Sequence, residues 1–218
     1  LTAEDYYNIG IMYLKKNDYY AEIAIDYLNK ALEKGIKDSE IYLALGNAYF
    51  ILNNLDKSLK NYLLADELTQ FNPIIKYNIS WIYFNKKLYD NSLKINKLAI
   101  EKLKKRIDNK KETDFIITDE TIKKNILPIV YPDMLNKFYY LNYLIYKNQN
   151  DLKSALEMLF AAEKYAENKS EIYTDIAMIY EKQKDINNAI RYCELALKNN
   201  ADNYDAALLL ETLRKNKK

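Results

Sequence analysis

The side chains that could carry out chemistry in this chain are few. A sequence of 218 residues without one histidine lacks the side chain that most often serves as general base or metal ligand. Its three glycines and single cysteine form no phosphate-cradling loop, no Gly-x-Ser-x-Gly turn and no cysteine pair. Cys193 shares a spacing of four and three residues with Ala189 and Ala196, so it reads as a small apolar core residue rather than a nucleophile. Glu33, Glu67 and Glu163 fall near helix ends or on polar faces, where carboxylates are solvated. The expectation is a protein that is not an enzyme, takes no cofactor or metal, and works by recognition. The residue types left for that task are aromatic, with 22 tyrosines, six phenylalanines and one tryptophan.

Charge narrows the partner. The 33 basic and 31 acidic residues nearly cancel, so the whole chain has no field that calls for nucleic acid or an anionic membrane. A local exception is the run Lys102, Lys104, Lys105, Arg106, Lys110 and Lys111, with Glu101, Asp108, Glu112 and Asp114 interspersed. It reads first as a solvated helix end. Nucleic-acid or anionic-lipid binding through 102–111 is the third functional reading, and it would show as steep salt dependence. No apolar run approaches the length of a membrane span. One cysteine excludes an internal disulfide. The chain opens at Leu1 rather than methionine; this permits a removed leader segment and leans the localisation toward the periplasm or cell envelope.

The elements that must position these residues are repeated. Tyr139, Tyr146, Ala155 and Ala162 recur as Tyr173, Tyr180, Ala189 and Ala196, each 34 residues later. A fixed period of this length marks stacked helix pairs. In the second copy Tyr173, Ile176, Ala177 and Tyr180 make one face of a first helix, and Ala189, Cys193 and Ala196 one face of a second. Small residues at 177 and 189 allow the two helices to approach closely. The same pattern is found twice near the N-terminus, as Tyr6, Gly10, Tyr13, Ala24, Leu28 and Ala31, then Tyr42, Leu45, Gly46, Tyr49, Ser58, Tyr62 and Ala65. Two extra residues sit in the Asn17–Tyr20 turn of the first copy. Gly35 is placed to end a helix, Asp38 or Ser39 to cap the next, and Pro73 to open the one after. A third copy keeps register through Ser80, Tyr83, Ser92 and Ala99, but departs at Lys76 and Asn96.

These residues resemble the tetratricopeptide repeat, a 34-residue helix–turn–helix unit. The resemblance implies an all-α, right-handed superhelical solenoid of antiparallel helix pairs with one non-repeat insertion. Its expected parts are repeats 1–3 over 1–106, an insertion over 107–135, repeats 4–5 over 136–203, and a capping helix over 204–218 with Ala207, Leu210 and Leu213 on its buried side. Asn203 is expected to cap that helix. In this family the first helix of each pair lines a concave groove that grips protein segments. Carried over by position, the groove would use Tyr7, Ile11 and Leu14, then Leu43, Asn47, Phe50 and Ile51, then Ile74, Tyr77, Trp81 and Phe84. Repeats 4 and 5 would add Tyr140, Leu144, Lys147, Asn148, Met178, Glu181 and Lys182. Two readings of the aromatic stretch stay open: packing against neighbouring helices, or a groove for an apolar partner with Trp81 and Tyr77 as anchors and Asn47 and Asn78 binding its backbone. Tyr7, Ile11 and Ile74 stand where family members that grip a terminal carboxylate carry polar or basic residues, so that ligand class is disfavoured. The function implied is a protein-interaction scaffold whose partner is a protein or peptide, apolar or aromatic in part, with no small-molecule substrate. A cell-envelope assembly or maintenance factor using the same groove is the alternative.

Within the insertion, Thr118 is expected to cap a short helix carrying Ile122 and Ile126, which Pro128 ends, leaving 126–131 extended. That apolar stretch either lies on the inner wall near Trp81 or fills the gap between the two repeat blocks. If it covers the wall, deletion of residues 113–131 raises binding of an apolar dye, and unchanged dye fluorescence counts against the covering arrangement.

Overall fold

The computed structural model describes residues 1–108 and 120–216, with the side chains of 120–130 and 216 excepted. These residues form α-helices and one 3₁₀ turn, with no strand among them. The described residues divide into two compact units, one over Leu1–Lys102 and one over those from Leu103 onward. The first unit holds α1 (Ala3–Lys16), α2 (Ala21–Glu33), α3 (Ser39–Ile51), α4 (Leu55–Glu67), α5 (Pro73–Asn85) and most of α6 (Tyr89–Asp108). The second holds the end of α6, then α7 (Glu120–Asn148), α8 (Leu152–Glu163), α9 (Ser170–Lys182), α10 (Ile186–Asn199) and α11 (Tyr204–Asn216). Sequential helices pack as pairs, α1 with α2, α3 with α4, α7 with α8, and α9 with α10. First helices also touch along each unit, α1 with α3 and α9 with α11.

Side chains at the helix ends explain the boundaries. Thr2 and Asp5 exchange bonds in a capping box at α1. Asp38 accepts from the amides of Glu40 and Ile41, Asn72 from those of Ile74 and Ile75 just ahead of Pro73, and Asn203 from that of Ala206. Gly35 ends α2 at φ +108, where a Cβ would be strained, and the amides of Gly35 and Ile36 reach back to Leu32 and Ala31. The turn between paired helices is a shared device. Asn53, Lys87, Asn150 and Lys184 all take left-handed φ of 54–62°, and the next amide bonds back to Tyr49, Tyr83, Tyr146 and Tyr180 respectively. The first repeat has no such residue; its two extra residues make a 3₁₀ turn, Asp18–Tyr20.

Close approach inside each pair follows the small residues. Gly46 lies under the Tyr62 ring, and Ser58 Oγ donates to the Gly46 carbonyl at 2.8 Å. Ala177, Ala189 and Cys193 are fully buried together. The third repeat replaces that apolar contact with a buried polar one. Ser80 and Ser92 hydroxyls meet at 2.7 Å and Ser80 also donates to Asn96, which accounts for the asparagine at 96. Lys76, the other departure, pairs with Asp66 at 2.7 Å.

Two expectations are corrected. Helix α7 runs unbroken from Glu120 to Asn148, so Pro128 does not end a helix and 126–131 is helical, not extended. Tyr131, Met134, Leu135 and Phe138 are all buried at helical spacing through Pro132; burying four large side chains outweighs a proline cost of about 3 kcal/mol. On α11 the buried stripe is Ala206, Leu210 and Leu213, with Ala207 exposed. The Thr118 cap, and whether the insertion covers the wall, lie outside the described residues.

A Cβ on Gly46 would sit 2.4 Å from the Tyr62 ring. Gly46→Ala should therefore destabilise the fold by about 1–3 kcal/mol in urea unfolding. In a Tyr62→Leu background the same change should turn neutral or stabilising, because only the helix-propensity gain of about 1 kcal/mol is left.

Candidate functional site

The aromatic residues expected in the groove come together on α5. Tyr77 and Trp81 stack at 6.2 Å between ring centroids, Trp81 and Phe84 lie at 5.4 Å, and Phe84 and Tyr89 at 5.9 Å. Spacings of four and three residues put Tyr77, Trp81 and Phe84 on one helix face. All three are half-buried, so each offers part of a ring to solvent. Phe50 and Ile74 are more open, at 37% and 42% exposure. Tyr7, Ile11 and Leu14 instead pack on the core beneath α1–α3, and Leu43 on the core beneath α3–α5. Burial and the nearby Glu40 push the Tyr7 phenol up to about 12, so it stays a neutral donor.

Asn47 and Asn78 are partly committed to the protein itself. Asn47 Oδ1 accepts from the Tyr62 hydroxyl at 2.7 Å and from Asn78 Nδ2 at 3.4 Å. The Tyr62 hydroxyl is itself held at about 12 by burial. For a partner's backbone Asn47 therefore keeps its Nδ2 donor, while its oxygen is already shared.

The second unit carries a different arrangement, which the repeat pattern does not reveal. Tyr140 and Tyr143 on α7 both donate to Asp175 on α9, at 2.6 and 2.5 Å. Lys147 lies 2.7 Å from the Tyr143 hydroxyl and 3.4 Å from Asp175. Burial, then the Asp175 charge, drives both phenols well above the ordinary tyrosine range, so the two donors keep their protons. Beside this cluster opens a cleft of about 400 Å³ between α7, α9 and the α10–α11 turn. Glu171, Asp175 and Asp205 line it with Tyr140, Met178 and Tyr204. Neither Glu171 nor Asp205 makes an ion pair among the described residues. One clue was legible: Asp175 stands between Thr174 and Ile176, both buried. Of the other expected residues here, Leu144 is half-buried, Asn148 Nδ2 bonds its own helix at Leu144, and Glu181 and Lys182 are exposed.

The remaining candidates take structural places. Cys193 is fully buried, and burial followed by Glu181 and Glu194 pushes its thiol up to about 11. Glu163 accepts from the Tyr173 hydroxyl at 2.8 Å. In the basic run, Lys102 lies over the Phe71 ring at 5.2 Å and Lys104 over the Tyr139 ring at 5.5 Å; Lys110 and Lys111 lie outside the described residues. No set of three metal-ligating side chains is found among the described residues. No helix among them is long and apolar enough to cross a membrane.

Comparison with known proteins agrees with this architecture. Residues 39–72 and 170–203 match the family model of the tetratricopeptide repeat. No curated protein matches the chain in sequence. PilF of Pseudomonas aeruginosa superposes with a TM-score of 0.70 at 17% identity, covering 99% of this chain and 84% of its own. MamA of Desulfovibrio magneticus RS-1, from its residue 41 onward, gives 0.69 at 15% identity, over 93% and 97%. YrrB, described as a tetratricopeptide-repeat protein with an unusual peptide-binding site, gives 0.56 at 15% identity, over 93% and 88%. At such identities the likeness is one of fold.

Removing the acceptor shared by one buried and one half-buried phenol should be costly. Asp175→Ala is expected to lower stability by about 1.5–3 kcal/mol in denaturant unfolding, the range for hydrogen bonds to a charged group. A loss below about 0.5 kcal/mol would mean the cluster adds nothing to the packing of α7 on α9.

Proposed function

We propose that this chain of tetratricopeptide repeats is a non-catalytic scaffold that binds a protein segment along the first helices of its N-terminal unit. The fold is one whose general use is to hold proteins or peptides. The observation that carries the finer reading is the row Tyr77, Trp81 and Phe84, in ring contact along one face of α5 and still partly open, with Phe50 and Ile74 exposed. Large aromatics that are rigid before binding lose little freedom on contact and dominate interface energies.

The chemistry of the partner follows from the wall. An apolar or aromatic segment suits α5, and the Asn47 Nδ2 donor suits a backbone carbonyl. A free terminal carboxylate is a poor fit, because Ile74 supplies no charge. The second unit is no better suited to an acidic segment, since its cleft is lined by Glu171, Asp175 and Asp205.

Trp81 is the sole tryptophan, so intrinsic fluorescence reads the proposed site directly. Peptides selected from a displayed library against the full chain should be rich in aromatic and aliphatic residues and should shift the Trp81 emission to the blue. Phe84→Ala or Tyr77→Ala should weaken the same peptides about tenfold to a hundredfold, as expected for losing a hot-spot ring. Peptides that bind without moving the Trp81 emission, or that ignore both substitutions, would place recognition elsewhere.

A further inference from the structure

Helix α5 lies between α4 and α6, so the openness of its aromatic row is not that of a chain end. The row also has a definite length. Seven residues of an α-helix advance about 10.5 Å, which sets Tyr77 and Phe84 that far apart along the axis. Trp81 stands between them, in ring contact with both at 6.2 and 5.4 Å. One turn of a polyproline II helix, three residues, advances about 9.3 Å. Two prolines three residues apart therefore reach the outer two rings together, one on each side of Trp81.

The polar atoms beside the row are mostly donors. Asn47 keeps its Nδ2, because its Oδ1 already accepts from the Tyr62 hydroxyl and from Asn78 Nδ2. Trp81 Nε1 makes no hydrogen bond among the described residues. The asparagine pair leaves one acceptor, Asn78 Oδ1. An α-helical ligand would lay internally paired carbonyls over these donors and leave them unsatisfied, which is costly. A β-strand would bring as many N–H groups as carbonyls. A polyproline II segment keeps its carbonyls outward and unpaired, and each proline in it removes an N–H. Charge plays no part: Lys76 on α5 and Lys86 at its end are paired with Asp66 and Asp56.

We propose that the face of α5 binds a proline-rich segment of a partner polypeptide in the polyproline II conformation. Two prolines at i and i+3 rest on Tyr77 and Phe84, and a carbonyl between them accepts from Trp81 Nε1. Asn47 Nδ2 donates to a second carbonyl, one turn of α5 away beside Asn78. The 218 residues supply no such segment themselves, since Pro73, Pro128 and Pro132 all lie within helices. Proline arrives with its φ already set, and the rings are held by their contacts, so little freedom is lost on either side. The inference rests on α5 being the binding face proposed above, and it specifies the ligand of that face.

Decaproline is the probe, and a decamer alternating L- and D-proline is its control, equal in composition but unable to form the same helix. Titrated into the full chain, decaproline should shift the Trp81 emission with saturation, and a labelled copy should show a saturable rise in anisotropy. The alternating decamer should do neither. Asn47→Asp puts an acceptor in place of the Nδ2 donor and keeps an oxygen for the Tyr62 hydroxyl. Asn47→Asp and Phe84→Ala should each weaken decaproline about tenfold or more. Asn47 is exposed, so its substitution leaves the fold intact, which circular dichroism checks. Absence of saturable binding, equal binding of the two decamers, or binding that neither substitution weakens overturns the proposal. Library-selected aromatic or aliphatic peptides separate the two readings. If they shift the Trp81 emission while decaproline does not bind, α5 remains a binding face and the proline-rich ligand is wrong; if neither binds, both readings fall.

Discussion

The close approach of two helices within each pair is the constraint on which the rest of the structure depends. It requires something small or hydrogen-bonded at the crossing, and the repeats meet that need by different means. Gly46 gives way to the Tyr62 ring, while Ser58 ties off the Gly46 carbonyl. Ser80, Ser92 and Asn96 form a closed polar set in which every buried hydroxyl has a partner. Ala177 and Ala189 simply leave room. The geometry is kept while the chemistry changes, because the packing limit is one of volume and the polar groups need only be satisfied.

Turns between the paired helices hold that geometry at its other end. A left-handed residue at 53, 87, 150 and 184 lets the chain reverse in few residues and returns an amide to the tyrosine two residues before the helix ends. Asparagine takes such a backbone conformation readily; the lysines at 87 and 184 take it at some cost. Packing of the helices on either side supplies the compensation. In repeat 1 the turn is longer, and the added length brings Tyr20 over Tyr13.

The pairs leave side chains of unlike chemistry on the surfaces of the two units. In the N-terminal unit α5 carries the half-buried aromatic row Tyr77, Trp81 and Phe84. In the C-terminal unit the cleft beside α7 and α9 is acidic, lined by Asp175, Glu171 and Asp205. One scaffold therefore presents two surfaces of unlike chemistry. Cys193 lies in the core instead, where burial raises its thiol.

The amino-acid order by itself determined the helix pairs, their interval of 34 residues, the caps at Asp38 and Asn203, the helix start at Pro73, and the aromatic row on α5. All of these depend on spacing along one helix or on local hydrogen bonds, which a linear pattern records. It also made Lys76 and Asn96 look like defects, and it misjudged Pro128 and Pro132, because their surroundings are supplied by other helices. Tyr143 stands where the other repeats place a small residue, and only the packing of α7 on α9 shows that its hydroxyl meets Asp175, 32 residues away. Which helix lies beside such a residue, and so which partner its hydroxyl finds, is decided by tertiary structure alone.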